Sequence, residues 1–209
     1  MKALKRQTLN DLVEVGFITK GKADFLRNCL KQRLTVCAAG GAGSGKVTLL
    51  QSLLNEVGTD KRIVCCTEKE FIFDMVEKSD TIMLRCGEFD TEEGKITASM
   101  NEILWPAIIS EPNALIVHPV RGPEILKILF DRRQYRFCCL FSLDCEYADQ
   151  VIPKILEISE KSGISEENRL RQVNDSLDVV VFCEKNDKDV RSVSEICQLT
   201  NGVLSPTVG

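Results

Sequence analysis

Histidine is nearly absent from this chain. There is one in 209 residues, and the ten cysteines form no C-x-x-C pair, which leaves little material for a zinc site. No apolar run reaches the ~18 residues of a membrane span. The opening MKALKRQTLNDL lacks the apolar core of a secretory signal. Positive charge is not in excess either, since 27 Lys and Arg against 31 Asp and Glu give a net charge of −4. That balance argues against a dedicated nucleic-acid binder. Internal repeats, low-complexity tracts and linkers rich in Pro, Gly or Ser are also missing. The expectation is a cytosolic protein that neither enters the membrane nor binds nucleic acid.

What is present is ordinary globular material, 44% hydrophobic and 28% charged. A chain of this length can bury about 70% of its surface as one large domain. The cysteines sit mostly in apolar company, as in RIVCC, RFCCLF and VVVFC, and read as small buried hydrophobes in a reducing compartment. Neighbours in a strand point to opposite faces, so Cys65/Cys66 and Cys138/Cys139 cannot each chelate as a pair.

Two short helices are expected in residues 8–33, split by VGFITKG. The apolar run LTVCAAG then reads as a strand, VTLLQSLLNEV as a helix and RIVCC as the next strand. FIFDMV and TIMLRC are further strand candidates. The polar stretch GEFDTEEGK leads into a helix near 97–110. ALIVHPV, RFCCLFSL and SLDVVVFCEK read as strands, with helices at GPEILKILFDRR and 146–161 between them. RSVSEICQL pairs back across NDKD as an antiparallel hairpin. Apolar strands alternating with helices predict an α/β fold, a mostly parallel sheet covered on both faces.

The strongest local signal is Gly40, Gly41, Ala42, Gly43, Ser44, Gly45, Lys46, Val47 and Thr48. Gly40, Gly45 and Lys46 fit the phosphate-loop pattern G-x-x-x-x-G-K-[ST], and the pattern lies between an apolar strand and an amphipathic helix. Glycines let backbone N–H groups turn toward phosphate oxygens, and the following helix offers its positive N-terminus. Lys46 adds a charge for the β and γ phosphates. These nine residues are the expected site for ATP or ADP. Val47 breaks the pattern where a hydroxyl would hold Mg²⁺, and Thr48 is rotated by about 100° from that position. The expected site therefore holds phosphates weakly and has no metal ligand.

Around these residues the chain resembles the secretion and pilus motor ATPases, closest to the Tad-pilus branch of the type II/type IV secretion family. The resemblance runs from about residue 8 to 200. It is carried by LNDLVEVGFITKGKADFLRNCLKQRLTVCAAGGAGSGKVTLL, by EPNALIVHPVRGPEILKIL and by RQVNDSLDVVVFCEKNDKDVRSVSEI. It implies a RecA-like domain at 34–200, after a helical lead at 1–33 and before a loose tail at 201–209. It also implies a hexameric ring family with a separate N-terminal domain. Only 39 residues precede the loop here, so this chain alone is expected to be a monomer or a weak oligomer.

The departures from the family fall on its chemistry. Its Walker B strand ends in Gly-Glu before Val-Arg-Gly, and here His118-Pro119 precede Val120, Arg121 and Gly122. Its acidic box corresponds to Thr67-Glu68, with Glu68 or Glu70 as weak candidates for the lost carboxylates. Its Thr-Thr-x-His motif is matched to Cys138–Phe141, without a histidine. Arg121 is read as either a sheet-top contact or a phosphate sensor, and Arg132, Arg133 and Arg136 as a solvated helix end or, in a ring, as a cluster facing a neighbour's nucleotide. The resemblance, with these departures, implies a weakly or non-hydrolytic accessory of a Tad, type II or type IV secretion or pilus system, cytoplasmic and peripheral to the inner membrane through partners. Those partners would be other system components, such as an intact ATPase paralogue or an inner-membrane platform protein. The alternative is an active motor using Glu68 or Glu70.

Overall fold

The computed structural model describes residues 7–58, 60–68, 80–91 and 94–207. The lead forms α1 (Leu9–Glu14) and α2 (Lys20–Lys31). Thr8 starts α1 with a capping box: its Oγ1 accepts from Asp11 N, and its own N–H donates to Asp11 Oδ2 at 2.7 Å. Then follow β1 (Thr35–Gly40), α3 (Lys46–Glu56), β2 (Ile63–Thr67) and β3 (Thr81–Arg85). The FIFDMV strand expectation lies outside the described residues, as does Glu70.

GEFDTEEGK is not simply a polar lead-in. It belongs to a hairpin of β4 (Gly87–Thr91) and β5 (Gly94–Ala98), which pair with each other and form a separate two-stranded sheet. The helix after it, α4 (Met100–Ile109), begins at 100 rather than 97 because Ser99 and Glu102 form a second capping box. The chain continues through β6 (Ala114–His118), α5 (Glu124–Tyr135) and β7 (Cys138–Asp144). The expected 146–161 helix is a 3₁₀ turn, α6 (Val151–Ile158) and another 3₁₀ turn. Helix α7 (Glu166–Ser176) was not expected. Its first turn carries Glu166 and Glu167, which complement the helix dipole.

β8 (Val179–Lys185) and β9 (Arg191–Thr200) form the expected antiparallel pair. The tail is not loose where it is described: β10 (Val203–Pro206) pairs antiparallel with β9, giving its backbone ladder partners. The main sheet has eight strands in the order β10-β9-β8-β1-β7-β6-β2-β3. The pairings from β8 to β3 are all parallel.

Alternate residues of each strand feed two cores. Val36, Ala38, Cys65 and Leu140 face the layer of α1–α3, with Leu49, Leu50, Leu53 and Leu54 buried against them. Cys37, Ala39, Cys66 and Phe141 face the layer of α4–α7. Each fully buried leucine contributes about 1.5–3 kcal/mol. Cys65 and Cys66 lie on opposite faces, as do Cys138 and Cys139, as the period of a strand requires. No helix among the described residues is long and apolar enough to cross a membrane.

Candidate functional site

β1 delivers Gly40 to the carboxyl edge of the sheet, and residues 41–45 turn there into α3. Gly40 has φ +143°, and a Cβ on it would stand 2.1 Å from the carbonyl oxygen of Cys183. Only glycine fits so close to β8. Gly41, Ala42 and Gly43 are exposed, whereas Ser44 and Lys46 are buried. Gly45 caps α3 without a side-chain hydrogen bond, so no capping side chain covers the helix N-terminus facing the loop. The Ser44 hydroxyl is buried with no hydrogen-bond partner. An open helix N-terminus and an orphaned hydroxyl in one glycine loop fit a bound phosphate group. From β9, Arg191 Nε donates to Gly43 O at 2.7 Å, which ties the loop tip to the sheet.

Lys46 does not project freely. Its Nζ donates to Gly40 O and Gly41 O, both at 2.6 Å, and lies 2.9 Å from Asp144 Oδ1. Asp144 ends β7 in register with Gly40, so the parallel pairing of the two strands brings the carboxylate to the lysine. Sequence reasoning did not single out Asp144. Its signal was the acid closing the apolar run RFCCLFSLD.

Val47 packs against the core shared with α1–α3, so the side chain in the metal-ligand position is part of the apolar layer. The Thr48 carbonyl accepts from Ser52 Oγ at 2.9 Å inside α3. The residues present do not offer Mg²⁺ the usual hydroxyl.

The other sequence candidates gather at the same edge, further along the sheet. β6 ends at His118, with Pro119 next, and the His118 ring hydrogen-bonds Ser142 Oγ of β7. Val120 N–H donates to Ser142 O at 3.1 Å, fixing the segment after β6 above β7. Glu124 accepts from the N–H groups of Arg121 and Gly122 at 3.0 and 2.9 Å, so its carboxylate ties down the chain just before α5. Glu68 pairs with Arg121 at 3.4 Å, and its N–H donates to His118 O. Arg121 therefore makes a sheet-top contact. β2, which leads to Glu68, lies three strands from β1, about 14 Å at ordinary strand spacing.

The match of the histidine motif to Cys138–Phe141 needs correction. β7 extends to Asp144, so its end is Phe141–Asp144, and Cys138 and Cys139 lie at its buried beginning. That end carries no histidine either. Arg132 is not a solvated helix end: it donates to Arg33 O and pairs with Asp178 at 2.7 Å. Burial raises the thiols, Cys65 and Cys183 to about 12.

A glycine loop between a parallel strand and a helix, with its lysine at the carboxyl edge of a sheet covered on both faces, defines a P-loop protein of the RecA-like class. The chain belongs to the type II/IV secretion system protein family, whose model matches residues 1–201. The conjugal transfer protein TrbB of Rhizobium radiobacter is 22% identical over 197 residues, 91% of this chain and 56% of its own. The VirB11 ATPase of the Brucella suis type IV secretion system, solved with sulphate, superposes with a TM-score of 0.74. It is 17% identical, over 97% of this chain and 66% of that one. The pilus retraction motor PilT, solved with ADP, gives a TM-score of 0.65 at 17% identity, over 87% of this chain and 49% of that one. The matched segments cover 34–58% of the length of the curated relatives.

Proposed function

We propose that this chain is a nucleotide-binding, weakly hydrolytic or non-hydrolytic accessory of a Tad-pilus, type II or type IV secretion or pilus system. The reading is carried by one observation: the phosphate loop keeps its glycines and Lys46 while the hydrolytic positions are apolar. Val47 packs into the core, and Pro119 follows β6 where the family resemblance puts a carboxylate. Proline can neither orient an attacking water nor accept its proton. The relatives' conjugal-transfer and secretion names support partners among other components of such a system. Glu68 is a poor substitute base, being committed to Arg121 and three strands from β1.

The test is calorimetry of ATP and ADP with Mg²⁺ and then with EDTA. The expected result is weak binding, lost in Lys46→Ala, that changes less than about threefold on removing the metal. A tenfold or larger magnesium enhancement, about 1.4 kcal/mol, would show a working metal site and overturn the reading.

A further inference from the structure

We propose that Asp144 sets the nucleotide preference of the loop, favouring a nucleoside diphosphate over a triphosphate by holding the charge of Lys46. The proposal rests on the reading that this loop binds phosphates, and it names the ligand class.

A lysine ammonium has three donors. Here three acceptors lie within 2.9 Å of it: the carbonyls of Gly40 and Gly41 and the Asp144 carboxylate. A terminal phosphate reaching Lys46 must therefore displace one of them. The two carbonyls belong to the loop itself. The carboxylate projects from the end of β7, whose backbone is held in register with Gly40 by the parallel pairing of the two strands.

The charges around Lys46 point the same way. Its side chain is 7% exposed, so it needs a countercharge, and Asp144 supplies one. The neighbouring thiols of Cys37, Cys145 and Cys183 are pushed up by burial and stay neutral at ordinary pH. With Asp144 in place the pair is neutral, and each added phosphate charge meets a carboxylate rather than a free ammonium. Beside Asp144 and Gly41 lies a cavity of about 570 Å³, also lined by Glu146 and Glu157. Lys154, on its wall, is occupied by both Glu157 oxygens at 3.0 Å. A triphosphate brings one more charged group into this acidic surround than a diphosphate does.

The experiment is titration calorimetry of ADP and ATP in EDTA on the wild type, Asp144→Asn, Asp144→Ala and Asp144→Glu, with thermal melting of each protein beforehand. Asp144 is 63% exposed, so these side chains fit without repacking. The wild type is expected to bind ADP about tenfold tighter than ATP. Asparagine or alanine at 144 should tighten ATP by about tenfold and ADP by less, and glutamate should keep the wild-type preference. An ATP-to-ADP ratio unchanged in the asparagine and alanine variants would overturn the proposal. So would weaker ATP binding in them, or no binding of either nucleotide. A flat ratio sinks the role of Asp144 and leaves the non-hydrolytic reading intact, whereas magnesium-dependent turnover sinks that reading and leaves the ratio standing.

Discussion

The ring of Phe17 lies against Gly45: a Cβ added to this glycine would stand 2.6 Å from Phe17 Cε2. Phe17 sits between α1 and α2 and is 6% exposed, so the helical lead props the last turn of the phosphate loop. Gly45 also has φ +102°, which a side chain resists.

Gly45→Ala should therefore destabilise the protein by about 1–3 kcal/mol, from backbone strain and the clash together. Phe17→Ala alone should cost about 3–5 kcal/mol. Urea unfolding of the two single variants and the double variant checks the contact. The double variant should lose less than the sum, because removing the ring relieves the clash. Strict additivity would mean that the lead does not press on the loop.

The buried thiols make stability sensitive to alkali. Burial raises Cys29, Cys65, Cys138 and Cys183 to about 12, above the ordinary thiol value of about 9. The unfolded chain ionises first as pH rises, so this contribution is intact below about 9 and is lost progressively toward 12. The urea midpoint should fall from pH 8 to pH 10. Replacing Cys65, which lies in the core, with alanine should reduce the slope of that fall. An unchanged midpoint would contradict the burial of these groups.

The phosphate loop was legible because its signal is local: four glycines and a lysine within seven residues, set between a strand and a helix. The two-faced sheet was legible for a similar reason, since Cys65 and Cys66 can only face opposite layers. The β4–β5 hairpin was hidden because GEFDTEEGK is mostly polar and its strands pair with each other alone among the described residues, so no apolar run marks them. β10 is four residues long, too short for its pattern to separate strand from loose tail. α7 was missed because EENRLRQVNDS is largely polar, with Val173 and the buried Arg169 among its few core contacts. The Lys46–Asp144 pair joins residues far apart in the chain, and only the pairing of β1 with β7 brings them together. Local pattern carries no information of that kind.

The most direct test is steady-state ATP hydrolysis with Mg²⁺, comparing the wild type, Lys46→Ala and the double variant Val47→Thr with Pro119→Glu. Phosphoryl transfer to water needs a metal to neutralise charge and a group to position the water, and losing either commonly costs about 10² or more in rate. The account predicts that wild type and Lys46→Ala both stay near background and that the double variant rises above both. Steady hydrolysis by the wild type, abolished by Lys46→Ala, would contradict it.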